Sequence, residues 1–394
     1  MAANFEYYTP TKIVFGKGTV DRVGELVKQE GAKKVFIHYG GKSAVRSGVL
    51  DRVRKSLDEA GMEYTELGGV VPNPHLEKVR EGIELAKREH VDFLLAVGGG
   101  SVIDSCKAIA YALAEPEYDV WELYAKKRKA KACFPVGSVL TIAAAGSEMS
   151  NSCVITDERT GKKRSYNDDL GRPRFAVMDP ELTMTLPDYQ TASGCTDIMM
   201  HTMERYFTNG GNMELTDALA EALLRTVRKN ALILHRDPQN YEARAEVMWA
   251  GSLSHNGLTG CGNTGSDSVS HALEHELGGM YDVTHGAGLA AIWPSWARYV
   301  YKDCLPRFVR FAKNVMEVEA GDSDEETALR GIEAMEEFYH SIGMPVNMRE
   351  LGIEPTEEEI LALAASYAQG CGGKKGSARK IFEEDAVNIY RMAK

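Results

Sequence analysis

The sequence predicts an α/β domain followed by an all-helical domain. In the first part of the chain, short apolar runs alternate with segments whose apolar residues recur at helical spacing. Runs that are apolar on both faces are typical of buried parallel strands, so this alternation indicates a doubly wound, Rossmann-like sheet. From about Pro187 the strand pattern stops and long helical patterns follow. We therefore expect an α/β domain over residues 1–186 and an all-helical domain over residues 187–394.

The elements of the first domain can be read in order. The strand candidates share a dense apolar composition and are KKVFIHY (33–39), VDFLLAV (91–97), a run within ACFPVGSVLTI (132–142) and FAVM (175–178). Between them, residues 49–57 and 76–86 carry apolar side chains at helical spacing, and Gly61 closes the first of these helices.

The second domain shows helical patterns and few strand signals. Apolar residues at helical spacing run from Ala328 to Ile342, and Thr356 is placed to cap a Glu-rich helix that continues through Leu363. We place the domain boundary near LTMTLPDYQ (182–190), where the pattern changes.

Composition and charge narrow the class of protein. The chain has 394 residues, 44% hydrophobic and 26% charged, and a formal net charge of −11. Because a phosphate backbone requires a basic face, this charge argues against nucleic acid or an anionic membrane as a partner. The seven cysteines form no CxxC pair, which predicts free thiols in a reducing compartment. With no signal-peptide pattern and no apolar run near the ~20 residues that span a bilayer, we expect a cytoplasmic protein.

A glycine-rich loop follows the second strand candidate. VDFLLAVGGGSVIDSCKAIA (91–110) runs from strand to glycines to helix, so backbone N–H groups and the helix N-terminus can meet a pyrophosphate. Ser101 is expected to act as N-cap or phosphate donor. The alternative is a tight connection without a ligand. The cofactor-binding residues expected here are Gly98, Gly99, Gly100, Ser101 and, further along the helix, Asp104.

A similar turn, YGGKS (39–43), also ends a strand and opens a helix. Dinucleotide sites often carry an acidic residue at such a position to hold the ribose hydroxyls. Here Gly40 and Gly41 leave room, Lys42 supplies a cation and Ser43 supplies a hydroxyl group. Space and positive charge favour a 2′-phosphate, and hence NADP(H) over NAD(H). The alternative is an exposed turn lysine.

Histidines cluster in the second domain. HALEHELGGMYDVTHG (271–286) contains His271 and His275, one helical turn apart, and then His285 beyond an expected break at Gly278–Gly279. The spacing is not that of an HExxH metalloprotease helix.

Upstream, Asp197 and His201 also lie four residues apart on one helix, among apolar residues. A carboxylate and an imidazole at this spacing form half of a metal site that the later histidines can complete. The alternative is a buried, hydrogen-bonded Asp–His pair. Five candidates exceed four positions, and spacing alone leaves open whether His271 or His275 is spare. The two domains are therefore expected to bind a dinucleotide (1–186) and a metal (187–394).

Several motifs together resemble the iron-containing (group III) alcohol dehydrogenase family, in particular its butanol dehydrogenase and NADPH-dependent aldehyde reductase branch. They are FEYYTPTKIVFGKG, VVPNPHLEKVREGIELAKREHVDFLLAVGGGSVID, the GSE of 146–148, the DxxxH of 197–201 and the HxxxHx(9)H of 271–285. The resemblance extends over nearly the whole chain. It implies hydride transfer between a nicotinamide cofactor and a primary alcohol or aldehyde such as butanol or butyraldehyde, and assembly as a dimer or larger oligomer.

The resemblance also implies residue roles. Asp197, His201, His271 and His285 would ligate Fe²⁺ or Zn²⁺, and His275 would be a proton-relay residue near the nicotinamide. Thr141 and Lys163 match positions that contact the cofactor. Gly41 stands where NAD-preferring relatives carry aspartate, and Ser43 matches a residue at the 2′-phosphate of NADP-preferring ones. Ala145 departs from the pattern, because relatives commonly carry threonine before GSE.

Two kinds of alternative remain at this stage. A glycerol-dehydrogenase-like or dehydroquinate-synthase-like enzyme would use the same two-domain plan, although the second needs several basic residues, and the helical half shows no such cluster around its histidines. Outside enzymes, the same residues could serve a metal- or nucleotide-binding protein.

Overall fold

The computed structural model describes residues 2–211 and 213–394, and the side chain of Lys42 lies outside the described part. These residues form two compact units. The α/β unit comprises Tyr8–Leu186 and Gln239–Ser252, and the helical unit comprises Pro187–Pro238 and Leu253–Lys394 together with the residues before Tyr8.

The strands and helices before Pro187 alternate, as the sequence indicates. They are β1 (Lys12–Phe15), α1 (Val23–Gln29), β2 (Lys34–Tyr39), α2 (Lys42–Arg46), α3 (Val49–Glu59), β3 (Glu63–Leu67), α4 (Leu76–Arg88), β4 (Phe93–Gly98), α5 (Gly100–Ala114), α6 (Trp121–Tyr124), β5 (Val136–Leu140), β6 (Ser152–Asp157), β7 (Lys162–Asn167) and β8 (Phe175–Met178).

Six of these strands form one parallel sheet in the order β1-β8-β5-β4-β2-β3. From β2 the chain crosses to β3 at one edge and then returns to place β4 on the other side of β2. The strand order therefore reverses between β2 and β4. In open α/β sheets such a switch point leaves a crevice at the carboxyl ends of the strands, where ligands bind.

Alternate strand residues face opposite helical layers. Val35 and Ile37 of β2 join a core with α1 and α3, whereas Phe36 joins a core with α4 and α5. Both faces of the sheet are thus covered, which explains why its central strands are continuous apolar runs. The predicted Rossmann-like α/β architecture is confirmed.

An antiparallel hairpin, β6–β7, lies outside this sheet and was not anticipated from the sequence. Its second strand, KKRSYN, is mostly polar and lacks the apolar density by which the other strands were recognised. Gly161, with φ of 64°, occupies the left-handed region in the connection between the two strands.

Helices make up the regular structure after Pro187 in the described residues. They are α7 (Asp188–Tyr206), α8 (Glu214–Arg236), α9 (Tyr241–His255), α10 (Val269–Tyr281), α11 (His285–Val300), α12 (Leu305–Asn314), α13 (Asp324–Ser341), α14 (Glu357–Cys371) and α15 (Glu383–Ala393). Thr356 caps α14 in a capping box with Glu359, as predicted for the threonine.

One division between the units falls between Leu186 and Pro187, and most of α9 belongs to the α/β unit rather than to the helical unit. Met248 joins the core formed by α4 and α5, and Trp249 lies edge-on to Phe15. The Ser252 hydroxyl group donates to the buried carboxylate of Glu148. These are contacts between positions distant in sequence, which a helical pattern alone does not reveal.

One local feature of the helical unit also differs from expectation. The pair Gly278–Gly279 does not break α10, which continues to Tyr281 and ends where Asp282 adopts the left-handed conformation. The inner face of α10 is buried through Leu277 and Gly278, so packing compensates for the low helix propensity of glycine.

All seven cysteines are free thiols, as predicted. Among the described residues, no helix combines the length and apolarity that crossing a bilayer would require.

Candidate active site

Helix α7 carries the first two candidate ligands. It is buried from Thr191 through Glu204, so the polar side chains of this stretch point into protein rather than solvent. Asp197 and His201 lie one turn apart, with His201 Nε2 3.3 Å from Asp197 Oδ1. The predicted spacing therefore brings these two side chains together.

The first turns of α10 and α11 bring two further imidazoles to the same carboxylate oxygen. His271 Nε2 lies 3.4 Å and His285 Nε2 lies 3.7 Å from Asp197 Oδ1. Gly286 permits this approach, because a Cβ atom at this position would lie 2.0 Å from the Ser193 carbonyl oxygen of α7. Three imidazole nitrogens thus surround one carboxylate oxygen.

The donor set fits a divalent cation. Asp197 Oδ1 and His271 Nε2 are buried and have no hydrogen-bond partner among the described residues. A buried polar atom without a partner is costly, and coordination to a metal removes that cost. Three imidazole nitrogens and one carboxylate oxygen suit Zn²⁺ or Fe²⁺.

The electrostatic environment of these residues also favours a bound cation. Burial opposes a charge on His271, but the Glu204 and Asp197 carboxylates outweigh it and raise the pKa of His271 to about 9. The site therefore favours positive charge at this position. Burial, the neighbouring His255 and the other imidazoles lower the pKa of His201 well below its ordinary value, so His201 is a neutral donor.

His275 lies beside the three histidines that face Asp197 and is not one of them. Its ring is 6.2 Å from that of His271 and 5.8 Å from that of His285, centroid to centroid, and it is partly exposed. Of the two histidines that spacing left open, His271 is the one that faces Asp197. His275 instead groups with Glu274 and His285, with candidate ligand atoms within 4.8 Å of one another.

Three site residues were missed from the sequence. Glu204 accepts hydrogen bonds from His271, Glu274 pairs with His285, and His255 stacks on His201 with centroids 3.8 Å apart. Glu204 follows His201 by three residues and Glu274 follows His271 by three, a spacing that shares a helix face. That signal was available, whereas nothing local identifies His255.

The glycine loop lies at the switch point of the sheet. Gly98 ends β4, Gly99 is the N-cap of α5 and Gly100 is its first residue. Ser101 lies inside the first turn, so the expectation that it caps the helix is wrong; a phosphate-donor role stays a prediction. The glycines are required by packing, since a Cβ at Gly98 would lie 2.4 Å from Val102 Cγ2 and one at Gly100 would lie 2.9 Å from Ala145 Cβ.

The second glycine turn follows the neighbouring strand β2. Gly41 is the N-cap of α2, with φ of −82°, and Ser43 lies in the first turn of that helix. A Cβ atom on Gly41 would meet nothing within 4 Å. The structure therefore leaves open space beside Gly41. The predicted cation at Lys42 falls on a side chain outside the described part.

The remaining candidate cofactor residues have different surroundings. Thr141 continues from β5, and its backbone N–H donates to Gly98 O at 3.1 Å, which places it beside the glycine loop. Asp104 is buried, and its two carboxylate oxygens accept from the Ser147 hydroxyl group and the Val154 N–H, so it anchors the GSE loop and β6 to α5. Lys163 is buried in β7.

Comparison with known proteins supplies the family. A family model for the iron-containing alcohol dehydrogenases matches residues 10–180, and a model for the C-terminal part of the Fe-containing alcohol dehydrogenase family matches residues 191–394. The chain belongs to the iron-containing alcohol dehydrogenase family. Family membership implies iron and a nicotinamide cofactor, in agreement with the cluster around Asp197 and the loop at Gly98.

Similar members of this family are known over the full length. NADH-dependent butanol dehydrogenase A of Clostridium acetobutylicum is 40% identical, with 99% of each chain covered. The NADPH-dependent aldehyde reductase YqhD of Escherichia coli is 37% identical, with 99% of this chain and all of that one covered. The crystal structure of NADH-dependent butanol dehydrogenase A from Thermotoga maritima superposes with a TM-score of 0.95 at 39% identity, covering 99% of this chain and 98% of that one. These relatives are named for different cofactors.

Proposed function

We propose that this protein is a metal-dependent alcohol dehydrogenase and aldehyde reductase that transfers hydride between NADP(H) and a primary alcohol or its aldehyde. The observation that carries the proposal is the convergence of three imidazole Nε2 atoms within 3.7 Å of the buried Asp197 Oδ1, in a chain of this family. The names of the relatives support butanol and butyraldehyde, or similar short molecules, as the substrate class.

Asp197, His201, His271 and His285 are proposed to hold the metal. The family supports Fe²⁺, and the donor set also accommodates Zn²⁺. Asp197 is 3% exposed, so charges in the site interact with little screening by water. When bound, the cation supplies Lewis-acid stabilisation of negative charge on the substrate oxygen, and the nicotinamide supplies or accepts hydride.

The α/β unit is proposed to hold the cofactor. Backbone N–H groups at Gly99 and Gly100, with Ser101, would bind the pyrophosphate at the N-terminus of α5. Thr141 and Lys163 are proposed as further contacts, and Asp104 supports the loop beside them. The open space at Gly41, with Gly40, Lys42 and Ser43, favours the 2′-phosphate of NADP(H). Several relatives are named for NADH, so the cofactor preference of this chain is measured first.

His275 is proposed as the proton-relay residue. Its partly exposed ring lies next to the two ligand imidazoles of His271 and His285 without belonging to the Asp197 set. A ring nitrogen in this position can give a proton to the alkoxide formed on aldehyde reduction and take it back in alcohol oxidation.

We also propose that the protein is cytoplasmic, because free thiols fit a reducing compartment. We further propose that it forms a homodimer or larger assembly, which light scattering would measure.

The experiment is a rate assay on metal-stripped protein reloaded with Fe²⁺ or Zn²⁺ without oxygen, following NADPH and NADH absorbance with butyraldehyde. We expect metal-restored turnover, faster with NADPH. An Asp197→Asn variant treated identically should not regain activity. A His275→Ala variant should bind metal normally and lose about 100-fold in kcat, the lower end of the contribution of general acid catalysis. Absence of metal-restored turnover with either cofactor would overturn the proposal.

A further inference from the structure

Two buried glutamates stand behind the histidines that face Asp197. Glu204 lies on α7, one turn after His201, and is 4% exposed. Its Oε2 accepts a hydrogen bond from His271 Nδ1 at 2.8 Å, and its Oε1 accepts from the backbone N–H of His271 at 3.0 Å. Both carboxylate oxygens of Glu204 thus accept hydrogen bonds from His271, one from its ring and one from its backbone, and together they fix the position of this residue.

Glu274 makes the equivalent contact with the other late histidine. It is fully buried on α10, and its Oε2 accepts a hydrogen bond from His285 Nδ1. Gly288 makes room for it, since a Cβ atom there would lie 2.9 Å from Glu274 Cγ and 3.2 Å from Oε1. The two glutamates lie on different helices and accept hydrogen bonds from different histidines.

These hydrogen bonds determine which nitrogen of each histidine ring is available to bind a metal. A carboxylate accepts only, so in the neutral rings that can bind a metal the Nδ1 atoms of His271 and His285 carry the protons and their Nε2 atoms carry the lone pairs. Those Nε2 atoms are the ones directed at Asp197 Oδ1. Carboxylate–histidine pairs of this kind orient metal ligands and raise their basicity.

We propose that Glu204 and Glu274 are positioning residues of the metal centre, each holding one histidine so that its Nε2 faces the cation. The inference rests on the proposed metal site and extends it beyond the four ligands. His201 is held differently: the plane of His255 packs against it, 3.8 Å away. Removing either carboxylate should therefore weaken metal binding without removing a ligand.

The test measures metal affinity rather than activity. Metal-stripped wild type, Glu204→Gln and Glu274→Gln are titrated with Co²⁺ against a chromophoric chelator, and the visible Co²⁺ spectrum of each protein is recorded. We expect affinity 10- to 100-fold lower in each variant and a changed spectrum. The matched control is Asp188→Asn, because Asp188 also lies on α7 and accepts from a histidine Nδ1, that of His235, at 2.9 Å but at the surface. It should bind Co²⁺ like the wild type.

The wild type tests the metal site itself, and the variants test the positioning role of the two glutamates. If wild type binds no Co²⁺, the metal assignment fails and this inference with it. If wild type binds and both glutamine variants bind equally tightly with the same spectrum, only the positioning role is overturned. Gly288→Ala provides a second route should a glutamine variant fold poorly. Its methyl group displaces the Glu274 side chain with no change of charge, and unaltered affinity in this variant would count against the role of Glu274.

Discussion

His255 stacks on His201, with ring centroids 3.8 Å apart and planes inclined by 26°. His201 in turn stacks on His271 with centroids 4.3 Å apart, so two of the proposed ligand imidazoles form part of a continuous stack. We expect His255→Ala to lower Co²⁺ affinity by about 2- to 10-fold, which corresponds to the 0.5–1.5 kcal/mol of an aromatic pair. His255→Phe keeps a flat ring and should stay within about twofold of the wild type. Equal losses in the two variants would show that stacking is not the relevant contact.

Gly41 offers a test of cofactor preference. Its φ of −82° is outside the left-handed region, and a Cβ atom built there meets no atom within 4 Å, so a side chain has room. Gly41→Asp should lower kcat/KM for NADPH by about 100-fold, because a carboxylate beside the 2′-phosphate costs several kcal/mol. Turnover with NADH should be retained, and Gly41→Asn controls for bulk without charge. Steady-state rates with both cofactors decide the matter; a wild type that already prefers NADH would refute the preference for NADP(H).

His38 predicts a pH dependence of stability in the α/β unit. It is fully buried on β2, donates from Nδ1 to Leu67 O and accepts at Nε2 from Ser105, and burial lowers its pKa from 6.5 to about 4. Between pH 6.5 and 4 the unfolded chain binds this proton and the folded chain does not, so stability is lost as pH falls through that range. From pH 7 to 5 the loss is about 2 kcal/mol.

The measurement for His38 is urea unfolding of wild type and His38→Gln at pH 7 and pH 5. Glutamine does not titrate, so the variant should lack this part of the pH dependence, even though other groups titrate in both proteins. If the difference between the two pH values is the same in wild type and variant, the proton assignment at His38 is wrong.

Lys107 supports the GSE loop from inside the α/β unit. Its Nζ is buried and donates to the carbonyl oxygens of Ser147, Ser150 and Ser152 at 2.7–2.9 Å. Lys107→Met leaves these buried acceptors without their donor, and we expect the free energy of unfolding to fall by about 3 kcal/mol. Lys55→Met is the control, because the Lys55 side chain is exposed on the surface of α3, and it should change stability by at most about 0.5 kcal/mol. Denaturant titration compares the two; a small effect at Lys107 would mean that water replaces its ammonium group.

The architecture was predictable where local pattern and packing agree. The apolar runs that became β2 and β4 are buried on both faces, and the helical spacing of 49–57 and 76–86 became α3 and α4. The hairpin β6–β7 was not predictable in this way, because its polar strand packs on α5 through contacts such as Asp104 with Val154. The same holds for α9, whose helical pattern gives no indication of the unit that it joins.

For the site, the sequence by itself determined the residue types and the pairs at helical spacing, since one turn of helix brings Asp197 and His201 together wherever the helix lies. Spacing left His271 and His275 equivalent, and the family resemblance assigned the ligand role to His271. Only the tertiary structure shows which of the two faces Asp197, through the close approach of α11 to α7 at Gly286 and the hydrogen bonds that Glu204 accepts from His271. The physical reason is that positions 197, 204, 271 and 285 meet through packing of helices far apart in the chain, and hydrophobic burial and shape, rather than any local preference, set which faces come together.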